Sequence, residues 1–232
     1  MNKLLVVVGH ADRASFTHAM ARCYETAARA AGARTELLEL ATLQFDPVLR
    51  EGYRGIQPLE PDLLRAQAAI EASDHVAWFF PTWWAGPPAL VKGFIDRAFL
   101  PGFAFRNLPG RALPQKLLRG RSARLVTSMD APWFWYALYY RSALHASFIA
   151  ATLRYVGFSP VRSTTVFGLR NASARGRERI LQRLTRAGAQ DAGRLLRGSA
   201  RAWPAARPSL PARCPQEPEG RSNSSATPGA MR

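Results

Sequence analysis

The residues whose types and spacing could do chemistry sit in two short loops, each at the end of an apolar run. Val76 to Phe80 leads into Pro81-Thr82-Trp83-Trp84-Ala85-Gly86-Pro87-Pro88. Indole surface on an irregular loop at the carboxyl end of a strand is costly in water unless something flat covers it. Pro81, Thr82, Trp83 and Trp84 therefore read as a platform for a planar ligand. The alternative is ordinary aromatic core or a subunit contact, and two adjacent Trp cannot both point the same way. Lys3 to Val8 leads into Gly9-His10-Ala11-Asp12-Arg13-Ala14-Ser15-Phe16-Thr17. Free N–H groups and the hydroxyls of Ser15 and Thr17 at a helix start make an anion site suited to a cofactor phosphate. Capping of the helix alone explains Ser15 by itself, and His10 reads as a contact to phosphate or to a nearby carbonyl. Neither G-x-G-x-x-G nor G-x-x-x-x-G-K-[ST] occurs, so neither the dinucleotide fingerprint nor the Walker loop applies.

Elsewhere the chemical signals are thin. Lys92 and Asp96 are one helical turn apart and read as a surface pair contributing about 0.3 kcal/mol. Asp130 and His145 could form an acid–base pair, although a loop Asp is commonplace. No Ser/His/Asp arrangement, paired glutamates or metal-ligand cluster stands out, which argues against hydrolysis and for chemistry carried by a cofactor. Cys23 and Cys214 show no zinc spacing, so a reducing, cytoplasmic setting is the default.

The elements that must position these loops follow from periodicity. Lys3 to Val8 is a strand buried on both faces, too short to be a signal or membrane span. A helix follows from about Phe16 to Ala31, closed by Gly32, and Thr35 to Leu40 is the next strand. Residues 41–60 form a long loop. Pro61 opens a helix that stops near Asp74, and the Val76–Phe80 strand and a helix from Ala89 come next. Residues 100–120 read as loop. Ala123 to Ser128 is a fourth strand, a helix runs through Phe148 and Leu153 to Gly157, and Pro160 to Phe167 is a fifth strand. The last helix covers about Ser173 to Arg197. Strict β-α alternation predicts an α/β fold, a doubly wound five-stranded parallel sheet with helices on both faces. The most unusual strand ends are those of the first and third strands, which selects the flavodoxin-like order 2-1-3-4-5, whose ligand lies between those two.

The chain of 232 residues carries a formal net charge of +16, which alone would suggest a polyanion partner. Residues 171–232 hold 12 basic and 4 acidic groups, half the excess in about a quarter of the chain, and nearly all basic residues are Arg. Coding bias is the first reading, and nucleic acid is not the expected partner. Residues 1–197 are expected to form one domain. Residues 198–232, rich in Pro, Arg and Ser with few large apolar side chains, are expected to be a disordered tail.

Taken together, the residues resemble the NAD(P)H:quinone oxidoreductase family of flavodoxin-like flavoproteins. The likeness runs through His10-Ala11, Ser15-Phe16-Thr17-His18-Ala19, Phe45-Asp46-Pro47-Val48-Leu49, Pro81 to Trp84, Pro88 to Arg97 and Pro101 to Phe105. The resemblance implies a homodimeric two-electron reductase, with NAD(P)H and a quinone-like acceptor using one pocket in turn and hydride passing through flavin N5. It places His10, Ser15, Phe16 and Thr17 at the ribityl-phosphate, and Pro81, Thr82, Trp83, Trp84, Thr127, Ser128 and Met129 at the isoalloxazine. The flavin is FAD or FMN, with the His-Ala…Ser-Phe loop leaning towards FAD. Better-studied members follow the fourth strand with a Gly-rich loop, then a Tyr and a His that steady the reduced flavin. Here that loop reads Met129-Asp130-Ala131-Pro132-Trp133, and His145 is the candidate catalytic residue. One branch of the family instead docks on a membrane transporter as a regulatory flavoprotein subunit, which is the alternative reading; a polyanion binder is a third.

Overall fold

The computed structural model describes residues 2–200. Five strands form one parallel sheet, whose three central strands are apolar runs covered on both sides. Leu4 to Val8 are wholly buried in β1 (Lys3–Val8), which pairs with β2 (Arg34–Glu39) on one side and β3 (His75–Pro81) on the other. Two short strands, β4 (Phe105–Arg106) and β5 (Gln115–Lys116), pair antiparallel outside the main sheet. The segment expected as pure loop over 100–120 thus carries a small hairpin, too short to show a period in sequence. The main sheet continues with β6 (Ser122–Met129) and β7 (Val161–Phe167), in the order β2-β1-β3-β6-β7. Counting main-sheet strands alone, this is the expected 2-1-3-4-5.

Helices α1 (Phe16–Ala30), α2 (Pro61–Glu71), α3 (Ala89–Ala98) and α5 (Ala174–Ala200) follow the strands in the alternation that the sequence implies, and α4 (Trp133–Leu138) is a further short helix in a stretch not expected to be helical. Helix α5 runs to Ala200, and the rest of the expected 198–232 tail lies outside the described residues. Residues 145–154 are wound as a π-helix, His145–Arg154, where an ordinary helix was expected. Its buried side chains Phe148, Ile149 and Leu153 include a five-residue spacing that suits the wider turn. Leu4, Val6 and Val8 face α1 and α5, whereas Leu5, Val7, Trp78 and Phe80 face α2, α3 and the π-helix. There Phe148 packs edge-on against Trp78 and Phe80, with centroids 5.4 and 4.8 Å away.

A buried polar network locks the α1/α5 side. Asp191 of α5 accepts from Tyr24 at 2.8 Å, from Arg124 at 2.5 and 3.1 Å, and from Arg194 at 3.0 Å. His75 bridges Tyr24 and Ser122 at 3.1 and 2.8 Å. Because β1 sends its chain to α1 on one face and β3 sends its chain to α3 on the other, a crevice opens at their carboxyl ends.

Candidate active site

The loop after β1 is pre-shaped by its own bonds. Gly9 donates to Phe79 at 2.8 Å. A Cβ at Gly9 would lie 2.1 Å from Val91 Cγ2, so only glycine lets α3 pack this close beneath the loop. The Asp12 N–H donates to His10 Nδ1 at 3.0 Å, and the Ala14 N–H to Asp12 Oδ1 at 2.8 Å. Ser15 is the N-cap of α1, its Oγ accepting from the His18 N–H at 3.4 Å. Thr17 is buried, and Phe16 lies under the Arg177 guanidinium at 5.3 Å. The first turn of α1 holds no acidic residue, so the positive end of the helix is open to an anion.

The loop after β3 is held from the neighbouring strand. Thr82 N–H donates to the Ser128 carbonyl at 2.8 Å, and the Thr82 and Thr127 hydroxyls are 2.8 Å apart. Trp83 and Gly86 exchange both backbone hydrogen bonds, at 3.0 and 2.9 Å, closing a two-residue hairpin. Its central residues, Trp84 and Ala85, have φ of 51° and 55°. Two positive φ values are the mark of a turn that favours Asn-Gly, and a non-glycine residue there costs about 1–2 kcal/mol. Such strain clusters where a ligand benefits from it. Ala85→Gly is expected to raise stability by about 1 kcal/mol, read as a gain of roughly 2–4 °C in melting temperature; no gain would show the turn to be relaxed.

The two Trp do diverge. Trp83, half-exposed, meets the His10 ring edge-on at 5.9 Å, which joins the two loops, while Trp84 is fully exposed. Thr127, Ser128 and Met129 end β6 beside Pro81 but are buried, so they present little side-chain surface to a ligand.

A third cluster lies one strand farther out. His145 Nδ1 is 2.7 Å from the Tyr136 hydroxyl and its Nε2 is 3.1 Å from the Thr165 hydroxyl, with Thr165 paired to Thr127 in register. The His145 N–H donates to the same phenol oxygen at 3.3 Å. In the tautomer with its proton on Nε2, Nδ1 accepts from the Tyr136 hydroxyl and Nε2–H donates to Thr165. Burial lowers the His145 pKa. Burial raises that of Tyr136, against two backbone hydrogen bonds that lower it. The pair opens on a cleft of about 420 Å³ that Trp133 and Phe167 also line. Asp130 does not pair with His145; Arg170 takes it, at 2.9 Å from its N–H and 3.1 Å from Nε. Tyr136 is the residue that sequence reading missed. Its signal was a Tyr nine positions before the His, masked by Tyr139 and Tyr140 close by.

The long loop over 41–60 is anchored rather than free. Arg97, fully buried on α3, donates to the Asp46 and Pro58 carbonyls at 2.5 and 2.9 Å and to Glu60 at 2.9 and 3.2 Å.

A family model described as the flavodoxin-like fold matches residues 2–189. The chain belongs to the flavodoxin-like-fold family. Rat "NAD(P)H dehydrogenase [quinone] 1" is 28% identical over 125 residues, 45% of this chain and 46% of the relative. The crystal structure of Smu.1420 from Streptococcus mutans superposes with a TM-score of 0.71 at 25% identity, over 81% of this chain and 99% of that one. The NAD(P)H:quinone oxidoreductase from Methanothermobacter marburgensis gives 0.68 at 22%, over 81% and 97%. The chain spans about half the length of the curated relatives it matches first. This flavodoxin-like crevice fits a flavin in two respects: a helix N-terminus with no acidic residue in its first turn suits a phosphate, and the strained Trp83–Trp84 turn suits a planar ring.

Proposed function

We propose that this flavodoxin-like protein is a flavin-dependent NAD(P)H oxidoreductase acting on quinones or related acceptors. The observation that carries the reading is the 5.9 Å contact of His10 with Trp83. It sets the anion-receptive start of α1 and the aromatic turn after β3 on one crevice, as a ligand with a phosphate at one end and flat rings at the other requires. The names of the rat and Methanothermobacter proteins support the substrate class.

His10, the α1 N-terminus and its Ser15 cap would hold the phosphate, with Phe16 and Thr17 supplying the first helical N–H groups. Pro81 to Trp84 would lie along the rings, and the backbone of Thr127 to Met129 would border them. Bound flavin, FAD or FMN, supplies two-electron hydride transfer between NAD(P)H and the acceptor. Tyr136 and His145 would hold and pass a proton at the rim: a neutral imidazole facing a phenol can accept at Nδ1 and release at Nε2. A homodimer is proposed through the cleft of about 250 Å³ between α3 and the π-helix, where Ile95 and Tyr155 reach the surface. The free, half-buried Cys23 is in keeping with a reducing, cytoplasmic setting.

The test is to purify the chain, identify flavin released on denaturation, and follow NADH and NADPH oxidation with quinone acceptors. A colourless protein that stays colourless with added FAD and FMN would sink the proposal. His145→Gln is expected to retain flavin and lower turnover by 10- to 100-fold, with a changed pH profile; an unchanged profile removes His145 from catalysis.

A further inference from the structure

At the head of α1 one buried side chain has no role in the chemistry proposed so far. His18 is 1% exposed, and its two ring nitrogens face different elements. Nδ1 lies 3.1 Å from Oγ of the N-cap Ser15, and Nε2 lies 3.4 Å from Oε1 of Glu39 at the end of β2. The second approach is too poorly aligned for a hydrogen bond, so Nε2 is buried without one. Glu39 also pairs with Arg13 from the loop after β1. The His10 ring stands edge-on, its centroid 6.4 Å from that of His18, and Arg22 and an Asp12 backbone hydrogen bond also act on the ring. Burial lowers the His18 pKa, and His10 and Arg22 add to this; together they outweigh Glu39 and the Asp12 bond, which raise it. By itself the ring is therefore neutral at pH 7.

A hydroxyl has one proton to give and two lone pairs to offer. Ser15 Oγ already accepts from the His18 backbone N–H at 3.4 Å. Of the two neutral tautomers of His18, one sets an N–H against the Glu39 carboxylate and the other a lone pair, so electrostatics favours the proton on Nε2. In that tautomer Nδ1 accepts the Ser15 O–H, and the single hydroxyl proton is turned inward, away from any anion at the helix start. A second ring proton, on Nδ1, reverses this bond. Nδ1–H then donates to Oγ, which accepts twice and is free to donate outward to a phosphate oxygen. The charged ring would stand between two anions, Glu39 and the phosphate, and each favours it.

We propose that His18 is a positioning residue for the cofactor phosphate: it takes up one proton from water as the phosphate binds, and the Ser15 hydroxyl turns from the ring to the phosphate. The proposal rests on the flavin reading of the crevice. His10 is the other candidate for the proton, and its own bond disfavours it. Its Nδ1 already accepts the Asp12 N–H at 3.0 Å, so a proton there would break a bond that shapes the loop.

The test is calorimetric titration of the apoprotein with FAD at pH 7.5 in buffers of different ionisation enthalpy. The diphosphate of FAD does not titrate near neutral pH, so a proton taken up belongs to the protein. FMN serves equally at pH 8, where its phosphate is already dianionic. Uptake of at least about half a proton per flavin is expected, with affinity falling at least about threefold from pH 7 to pH 8. His18→Asn sets a permanent amide donor near the place of Nδ1. It should bind flavin with no proton uptake and with affinity that no longer falls over that pH range. Flavin binding without uptake by the parent would overturn the proposal and leave the flavin reading standing. Uptake that persists in His18→Asn would do the same, because it assigns the proton to His10. If neither flavin binds, both fall.

Discussion

Ser15→Asp is expected to strip bound flavin from the protein while leaving its fold intact. Asp is as good an N-cap as Ser, so the bond from the His18 N–H survives and α1 keeps its start. The carboxylate, however, occupies the positive end of the helix where the phosphate would bind. Two like charges about 4 Å apart near a protein surface repel by about 4 kcal/mol, and the hydroxyl is lost as well. Flavin affinity should fall at least a hundredfold, read by fluorescence titration of the apoprotein, with the melting temperature of the apo form within about 3 °C of the parent. If the variant retains flavin with unchanged affinity, the phosphate does not sit at this helix. Ser15→Ala is the complementary control: it loses the cap, costs about 1 kcal/mol of stability, and adds no repulsion.

The largest effect on stability is expected at Asp191, far from the crevice. Its carboxylate is 3% exposed and satisfies Arg124, Arg194 and the Tyr24 hydroxyl together. Removing one member of a buried pair strands the other charge, at a cost of about 3–5 kcal/mol. Asp191→Ala should therefore lower the melting temperature by on the order of 10 °C. The double variant with Arg124→Met and Asp191→Leu should recover most of that loss, because apolar packing replaces both charges; a loss larger than the single variant's would refute this account.

The same network sets the acid limb. Burial lowers the His75 pKa to about 4, more than Asp191 raises it. Burial pushes the Asp191 carboxyl up, yet its bonds from Arg124 and Tyr24 outweigh this and leave it depressed. Both groups resist protonation in the folded state. His75 thus contributes stability that is fully present above pH 6.5 and lost as pH falls towards 4, about 3 kcal/mol in all. Melting temperature measured across that window should drop, and His75→Gln should flatten the drop.

Much of this was legible in residue order. Lys3 to Val8 and Val76 to Phe80 could only be strands covered on both faces, and the alternation of strand and helix left few topologies open. With the first and third strands adjacent, the loops holding Ser15 and Trp83 had to meet at one crevice. That adjacency was read from the unusual loops after the first and third strands, because connectivity and the fixed hand of crossovers alone leave more than one strand order open. The π-winding of 145–154 and the β4–β5 hairpin were not legible, because ten residues cannot separate helical periods and two cannot show alternation.

Side-chain partners belonged to the tertiary structure alone. The sequence offered Asp130 for His145; packing gave Asp130 to Arg170 and set His145 between Tyr136 and Thr165, because α4 turns a single Tyr inward and the π-helix starts opposite β7. His75 and Asp191, 116 positions apart, carried no mark of a shared buried network. Ser15 and the Trp83–Trp84 pair were visible as types. The fold realised the cap that Ser15 already suggested in sequence, and it alone showed one indole tied to His10 and the other in solvent on a strained turn. The difference has one physical source. Burial pattern and connectivity are written along the chain, whereas a contact between side chains depends on which faces the packed elements present to each other.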